Sequence, residues 1–457
     1  MSKEDVVFTR KIYNKLLAWK NEWNGESALL IEGARRIGKS TICREFGRRE
    51  YESFIVVDFN NASKHTLDAF ENFSSDLDTL FMVLQSEYRV DLVRRKSLVI
   101  FDEVQNYPKV RQLIKYLVED GRYDYIETGS LISIKENVKG ITLPSEERHI
   151  HMYPMDFEEF AWALDEEPLM ANLRKYYNWK QPVPDAIHAK AMFLFRQYIL
   201  VGGMPQSVKA YIENDRSFRK VDAVKRQILD LYRADIAKIA APYRSKVQSI
   251  FDQIPGFLSS AEKRVIYKKI DDGSSFMNYA DTFFWLSDSM IVNDCFNCAN
   301  PDVGLALNEN RTYVKCYMGD TGLLISMAFS ENEIADNELY REILYGKLST
   351  NEGMLFENVV AQMLVAAGHK LFFYTHYNEE TKKKDIKIDF LLSNNSKLKY
   401  KVWPVEVKSS TRYFTTSLTR FDARFKPRIG GNYVIHIKNL KQEGDTLYLP
   451  VYMTGFL

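Results

Sequence analysis

Four short apolar runs alternate with longer amphipathic segments in the first third of the chain. The runs are strand-like, and they comprise Ala28–Ile31, Phe54–Val57, Leu98–Phe101 and Tyr125–Thr128. Short buried-type strands separated by helical patterns are typical of a parallel sheet covered by helices. The pattern therefore predicts an α/β domain over residues 27–154, preceded by an amphipathic helix within residues 1–26.

The pattern changes twice after this domain. Residues 155–244 are helical and aromatic, with their clearest break at Gly202–Pro205. Residues 245–345 contain three helical stretches and then strand-like pieces, an order similar to that of a winged-helix domain. Residues 346–457 are predicted to form a mixed α/β domain, with a helix at Asn351–Ala367 and strands at Lys370–Tyr374, Ile386–Leu392, Trp403–Val407 and Asn432–Ile437.

A glycine-flanked loop follows the first predicted strand. Residues Gly33 to Ser40 fit the pattern G-x-x-x-x-G-K-[ST] between a strand and a helical segment, which is the context that a P-loop requires. Gly33 and Gly38 let backbone N–H groups surround phosphates at the positive end of a helix. Lys39 is expected to neutralise the β and γ phosphates, and the Ser40 hydroxyl to bind Mg²⁺. The sequence thus predicts ATP and Mg²⁺ as cofactors.

Two further strand ends offer groups for hydrolysis. The third apolar run ends in Asp102 and Glu103. We expect Asp102 to hold the magnesium shell and Glu103 to orient or deprotonate the attacking water. Thr128 and Ser130, at the end of the fourth run, are the candidates for sensing the γ-phosphate, although Thr-Gly-Ser is also an ordinary turn sequence.

Arginines near the loop have two interpretations. Arg148, just beyond the fourth run, could reach a γ-phosphate in its own or in a neighbouring subunit, or could be a solvated side chain beside Glu146 and Glu147. The same alternatives apply to Arg35 and Arg36. Thr41, which follows Ser40, is also included among the predicted nucleotide-binding residues.

Motifs in a fixed order extend far beyond the loop. They comprise Gly33–Ser40, Asp102–Gln105, Thr128–Ser130, Arg148, Tyr153–Phe160, Gly202–Pro205, Asp235–Lys238 and Gly319–Leu324. In this order they make the sequence similar to a family of bacterial and archaeal AAA+ ATPases that have a C-terminal domain formerly of unknown function. The resemblance spans nearly the whole chain. It implies ATP hydrolysis in the N-terminal part and a restriction-endonuclease-like fold at the C-terminus.

A set of charged residues in the C-terminal segment matches the pattern of a PD-(D/E)XK nuclease site. Glu357 lies on the predicted helix, Asp389 opens an apolar strand, and Glu406 and Lys408 share one face of another strand because side chains alternate. Asp389 and Glu406 are expected to hold Mg²⁺ with help from Glu357, and Lys408 to position water. The alternative is an ordinary solvent-facing strand, and a fold does not establish an activity.

Composition limits the partners. The 62 basic and 61 acidic residues nearly balance, so any nucleic-acid surface must be local. A basic segment with nearby aromatic residues is the candidate, and it comprises Lys382, Lys383, Lys384, Lys387, Arg412, Tyr413, Phe414, Arg420, Phe421, Arg424, Lys426 and Arg428. Four cysteines favour a reducing cytoplasm, and the apolar stretches fall short of the ~20 residues that span a bilayer. Nucleic acid is the expected partner, a homo-oligomer is a further candidate, and no membrane partner is expected.

Two functions follow from these observations. The first is an AAA+ ATPase coupled to a Mg²⁺-dependent nuclease-like domain that acts on nucleic acid, in defence or in DNA processing. The alternative is an ATP-dependent switch or scaffold that binds nucleic acid or protein without cutting it. Cleavage of a nucleic acid would distinguish the two.

Overall fold

The chain folds into two compact units. The computed structural model describes residues 7–23, 25–130, 145–270, 276–302, 304–329, 337–345, 352–380, 382–394 and 401–457. Unit 1 comprises Met1–Tyr153 with Asp288–Met290, and unit 2 comprises Pro154–Ser287 with Ile291–Leu457. Among the described residues, no helix combines the length and the apolarity needed to cross a membrane.

A parallel sheet forms the centre of unit 1. Its strands are β1 (Ala28–Glu32), β2 (Ser53–Asp58), β3 (Ser97–Asp102), β4 (Asp124–Gly129) and β5 (Glu147–His151). Within the described ranges they lie in the order β2-β3-β4-β1-β5. The four strands expected from the apolar runs are confirmed. The sequence pattern missed β5, because this edge strand reads Glu-Arg-His-Ile-His and is only partly buried.

Helices cover the sheet of unit 1. They are α1 (Ile12–Trp23), α2 (Lys39–Glu50), α3 (Lys64–Asn72), α4 (Leu77–Tyr88) and α5 (Lys109–Asp120), with a short 3₁₀ turn at Val104–Asn106. The Ser63 and Asp76 side chains accept hydrogen bonds from the first turns of α3 and α4, and so fix where these helices begin. Residues 1–6 and 24 of the predicted N-terminal helix lie outside the described ranges. The helix α2 starts directly at Lys39, which puts the glycine-flanked loop at the carboxyl end of β1.

Unit 2 begins with a helical region, as the sequence predicts. Asp156 and Glu159 form a reciprocal capping box at the start of its first helix. The described helices are α6 (Phe157–Trp162), α7 (Glu167–Trp179), α8 (Asp185–Val201), α9 (Pro205–Glu213), α10 (Phe218–Ile236), α11 (Ala241–Ser259), α12 (Tyr267–Ile270), α13 (Phe276–Asp288), α14 (Thr321–Ala328), α15 (Asn337–Leu344), α16 (Glu352–Ala366) and α17 (Thr416–Phe425). Asn351, the expected first residue of the C-terminal helix, lies outside the described ranges.

One mixed sheet unites the strands of unit 2. They are β6 (Val292–Cys298), β7 (Glu309–Met318), β8 (Leu371–Asn378), β9 (Lys383–Asn394), β10 (Lys401–Lys408), β11 (Asn432–His436), β12 (Lys441–Glu443) and β13 (Thr446–Pro450). Among the described residues their order is β12-β13-β11-β10-β9-β8-β6-β7. The strand-like pieces that the sequence assigns to a winged-helix-like segment are β6 and β7. Because β6 pairs with β8, these two strands extend the sheet that contains the C-terminal strands.

Candidate nucleotide site and carboxylate cluster

The loop between β1 and α2 has the backbone that a phosphate-binding loop needs. Gly38 has φ 95° and Arg36 has φ 70°, both in the left-handed region that glycine adopts most easily. A Cβ atom at Gly33 would lie 2.4 Å from the backbone oxygen of Met152. The close approach of the segment after β5 therefore requires glycine at this position.

Lys39 lies inside the loop. Its side chain is buried, and Nζ donates hydrogen bonds to the backbone oxygens of Gly33 at 2.9 Å and Ala34 at 3.0 Å. Burial lowers the pKa of Lys39 below its ordinary value, while Glu103 and Asp102 partly offset that effect. The loop therefore holds a desolvated ammonium where phosphate oxygens would bind.

Three polar side chains meet at the carboxyl edge of the sheet. The Ser40 hydroxyl donates to Oδ1 of Asp102 at 2.8 Å, and the Thr128 hydroxyl donates to the same oxygen. Asp102 and Thr128 are both buried. This arrangement arises because β4, which ends near Thr128, lies between β1 and β3. Ser40 and Asp102 offer adjacent hard oxygen atoms, and this donor set fits Mg²⁺.

Glu103 follows β3 in a strained conformation. Its φ is 57°, in the left-handed region, which costs a non-glycine residue about 1–2 kcal/mol. Its backbone N–H donates to the Thr128 hydroxyl at 3.3 Å, and its carboxylate accepts a hydrogen bond from the Gln105 amide. Strain of this kind is concentrated at functional sites. Thr128 thus holds the backbone of the residue that we expect to orient water.

The other residues expected to bind nucleotide differ in position. Arg35 is partly buried in the loop, Arg36 and Thr41 are exposed, and Ser130 directly follows β4. Arg148 pairs with Leu29 where β5 lies beside β1, and Leu29 is four residues before Gly33. The Arg148 guanidinium stacks on Trp23 at 3.0 Å from the ring centroid. The structure does not bring Arg148 to the loop, so its phosphate contact remains a prediction for a neighbouring subunit alone.

An ionic group beside β1, in which the exposed His149 meets buried Arg111, Glu147 and Glu32 side chains, was not predicted from the sequence. Arg111 lies 2.5 Å from Glu147, and the His149 ring lies 3.4 Å from Glu147 and 3.3 Å from Glu32. Hydrogen bonds to Glu147 and Glu32 raise the pKa of His149 to about 9. The available signal was Glu32 itself, a carboxylate that ends an apolar strand directly before the loop.

In unit 2, Glu357 is the centre of a buried cluster. Its Oε1 accepts hydrogen bonds from Lys315 Nζ at 2.7 Å and from the Tyr317 hydroxyl, and its Oε2 accepts one from Lys263. Burial would raise the pKa of Glu357, but Lys315 and Lys263 outweigh it and lower the pKa to about 2. We call Glu357, Lys263, Lys315, Tyr317 and Asp389 the carboxylate cluster. The sequence reasoning missed both lysines, although Lys315 is a charged residue within a largely apolar strand.

Asp389 and Glu406 lie on the neighbouring strands β9 and β10, as the sequence reasoning expected. Asp389 Oδ2 accepts a hydrogen bond from the backbone N–H of Val407 at 2.8 Å, and its Oδ1 is 3.9 Å from Lys315 Nζ. Lys408 Nζ is 2.9 Å from Glu406 Oε2. Burial raises the pKa of both Asp389 and Glu406, and the negative charge of Glu357 adds to the effect at Asp389.

The carboxylates of this region already have cationic partners. Lys315 lies between Glu357 and Asp389, and Lys408 pairs with Glu406. Among the described residues, no group of three or more His, Cys, Asp or Glu side chains is arranged to hold a metal ion. The present arrangement therefore fits lysine counter-ions better than a divalent cation, and the metal-binding roles of Asp389 and Glu406 stay predictions.

The aromatic residues of the basic segment differ in burial and in their contacts. Phe421, on the buried face of α17, is fully buried in a core cluster, so it does not face a ligand, contrary to the expectation from sequence. The Tyr413 hydroxyl bonds to the His436 ring at 2.7 Å, and Phe414 is exposed. Arg420 and Arg428 are bound to neighbouring backbone and side-chain oxygens.

Comparisons with protein families divide the chain into three matched segments. Residues 25–161 match the model described as AAA domain. Residues 192–333 and 352–453 match two different models, each described as a domain of unknown function. The sequence has no match among curated proteins.

Solved structures give only distant similarity. A signal-transduction ATPase with numerous domains and a tetratricopeptide-repeat sensor, from Pyrococcus horikoshii, is 11% identical with a TM-score of 0.28; the match covers 79% of this chain and 46% of that one. Cdc6p from Pyrobaculum aerophilum is 10% identical with a TM-score of 0.29, over 76% and 97% of the two chains. A chain from the structure of Drosophila ORC bound to AT-rich DNA and Cdc6 is 10% identical with a TM-score of 0.21, over 70% and 93% of the two chains.

The likeness of residues 25–161 to an AAA domain rests on two observations, the family model and the geometry of the site. The matched residues 25–161 contain the glycine-flanked loop, Asp102, Glu103 and Thr128 on a helix-covered parallel sheet. Residues 25–161 therefore resemble an AAA domain both in sequence and in the P-loop geometry of the site.

Proposed function

We propose that unit 1 binds ATP and hydrolyses it at the loop Gly33–Ser40. The observation that supports this proposal most is the meeting of Ser40, Asp102 and Thr128 at the carboxyl edge of the sheet, next to the buried Lys39. Ligands of parallel α/β sheets bind outside the carboxyl ends of the strands. An ordinary glycine turn would not need a buried lysine or a carboxylate on a neighbouring strand.

The residues divide the work of hydrolysis. The Lys39 ammonium would exchange the oxygens of Gly33 and Ala34 for those of the phosphates, which need positive charge as the bond to the γ-phosphate breaks. Ser40 and Asp102 would hold Mg²⁺, which neutralises phosphate charge. Glu103 would orient the water, since its backbone is held by Thr128.

Two substitutions separate binding from turnover. Lys39→Ala should abolish ATP binding in calorimetry, because it removes the buried ammonium that would contact the phosphates. Glu103→Gln should keep binding but lower kcat by about 10²–10⁴-fold, the usual contribution of general acid–base catalysis. Lys64→Ala, an exposed change at the start of α3, is the control and should behave as wild type. Turnover that persists in both site variants would refute the proposal.

For unit 2 we propose the second of the two functions, binding of nucleic acid without metal-dependent cutting. The supporting observation is that three lysines already pair with the three carboxylates. Lys263 and Lys315 contact Glu357, Lys315 also lies near Asp389, and Lys408 contacts Glu406. Binding by phosphate contacts makes affinity fall steeply with salt. In this proposal the ATPase regulates binding at the carboxylate site of unit 2, and that site does not hydrolyse nucleic acid.

A cleavage assay distinguishes this proposal from a nuclease. Plasmid and single-stranded DNA and RNA are incubated with the protein, with and without ATP, in Mg²⁺, Mn²⁺ or chelator. We expect binding that weakens with salt and no cleavage. Cleavage that requires the metal and disappears in both Asp389→Ala and Lys408→Ala would establish the nuclease instead.

A further inference from the structure

A small cavity opens beside the carboxylate cluster in unit 2. It has a volume of about 220 Å³, below the roughly 300–1,000 Å³ of pockets for drug-sized ligands. Its charged lining consists of Lys263, Arg264, Lys315, Lys384, Lys387, Glu262 and Asp389. The cavity is therefore small, strongly charged and mostly basic.

The charges of the cavity do not balance. Five cationic side chains face two acidic ones, and Glu357, behind the wall, neutralises one more positive charge through Lys263 and Lys315. The remaining surplus of two positive charges is close to the charge of −1.5 to −2 on a phosphate monoester near pH 7. The Nε atom of Arg264 is in addition buried, and no hydrogen-bond acceptor for it is found among the described residues.

Glu262 occupies the position that an anionic ligand would take. Its Oε2 contacts Lys384 and lies 3.8 Å from Nε of Arg264, while its Oε1 lies 3.6 Å from Lys387. Glu262 is a single carboxylate shared by three cations, and its side chain is about one-third exposed. It therefore neutralises only part of their charge, and an anionic ligand can displace it. Glu262 is therefore a competitor for the site.

The loop that presents these residues is held in place before any ligand arrives. Lys263 has φ 49°, a left-handed conformation that costs a lysine about 1–2 kcal/mol. The loop keeps this shape because Lys263 N–H bonds to Ser260 and the backbone of Val265 bonds to that of Val314 at 3.0 Å. Ordered basic groups bind anions at a lower entropic cost than mobile ones.

We propose that this cavity binds a phosphate monoester without a metal ion, with Glu262 as the internal competitor, and that its source is the terminal phosphate of a nucleic acid. The proposal rests on the proposed binding of nucleic acid by unit 2. Lys384 and Lys387 contact the phosphate oxygens, and Lys315 stays with Glu357 as part of the wall.

Fluorescence anisotropy in chelator, without ATP, provides the test. The probes are a labelled oligonucleotide with a 5′-phosphate, the same oligonucleotide with a 5′-hydroxyl, and inorganic phosphate as competitor. Loss of one charge-assisted contact should weaken binding of the 5′-phosphate probe by about tenfold or more in Lys384→Gln. Glu262→Gln should strengthen it by a similar factor. Lys441→Gln, which changes an exposed lysine of β12 outside both the cavity lining and the basic segment, is the matched control and should leave affinity near that of wild type.

The possible results of these binding measurements test different parts of the proposals for unit 2. Equal binding of both oligonucleotides, unchanged in Lys384→Gln, would overturn the phosphate site and leave nucleic-acid binding by unit 2 intact. Binding of inorganic phosphate in calorimetry, but of neither oligonucleotide in the anisotropy assay, would keep the cavity as a phosphate site and overturn its proposed source. Binding of none of the three probes would overturn both proposals for unit 2, while ATP turnover would still report on unit 1.

Discussion

Removal of the charge of Glu357 should destabilise unit 2 by about 3 kcal/mol. The pKa of this buried carboxyl falls from its ordinary 4.5 to about 2 in the folded chain, and each pKa unit corresponds to about 1.4 kcal/mol. An independent value comes from buried ion pairs, for which loss of one partner costs about 3–5 kcal/mol. Glu357→Gln should therefore cost an amount in this range, because Lys315 would keep a buried charge without its main partner.

The pH dependence gives this prediction a second readout. Because the folded pKa is lowered, the carboxylate stabilises the fold above about pH 4.5, and this stabilisation is lost as pH falls toward about 2. The difference in stability between wild type and Glu357→Gln should thus be full at neutral pH and shrink in acid. Urea unfolding followed by circular dichroism gives the total change, and hydrogen exchange of β9 and β10 peptides reports on unit 2 itself.

Two further variants make the test specific. Glu352→Gln lies on the same helix, but burial raises the pKa of Glu352, so this control should not destabilise the protein. Adding Lys315→Met to Glu357→Gln should recover part of the loss, because the uncompensated ammonium is removed. Equal stability of Glu357→Gln and wild type would refute the counter-ion argument. Stabilisation of wild type by Mg²⁺ that Glu357→Gln abolishes would identify a metal ligand instead.

Two other predictions concern unit 1. Thr128→Val keeps the shape of the buried side chain but removes its bonds to Asp102 and Glu103; thermal unfolding should show a loss of about 1–3 kcal/mol, and steady-state kinetics a lower kcat for ATP with KM little changed. An unchanged kcat would contradict this role. The raised pKa of His149 should stabilise the fold below about pH 6.5, and this effect should fade as pH rises through about 9. His149→Gln should flatten that part of the Tm profile, and an identical profile would exclude the contribution.

The sequence predicts those parts of the fold that depend on local pattern. Strands β1 to β4 are short apolar runs between helical segments, and α2 begins at the lysine of a motif with a fixed backbone shape. The strand β5 could not be found in this way, because it lies at the sheet edge and four of its five residues are polar. The sequence left two alternatives for Arg148, a phosphate contact and a solvated side chain, and its register with Leu29 puts it away from the carboxyl end of β1.

The site in unit 2 was harder to predict for a different reason. Asp389, Glu406 and Lys408 follow from alternation along two strands, so a pattern can bring them together. The partners of Glu357 cannot be predicted from such a pattern, because they are distant in sequence. Lys263 lies in a loop 94 positions away, and Lys315 lies on a strand 42 positions away. Only the pairing of β6 with β8 brings β7 into the sheet of the C-terminal strands. The order of the strands therefore determines that the ammonium group of Lys315 lies at these carboxylates.

This position of Lys315 changes what the proposed hydrolysis of ATP can control. A lysine at the carboxylates gives a site with fixed charge, whose affinity for phosphate does not depend on the supply of metal. Such a site can be switched by moving its own groups, and Glu262 is the group whose position sets the free positive charge of the cavity. If ATP binding shifts the affinity of the 5′-phosphate probe in wild type, linkage requires the probe to shift ATP affinity by the same factor. Glu262→Gln should reduce both shifts together if displacement of that carboxylate is the coupled step, and a shift in only one of the two affinities would exclude coupling at equilibrium.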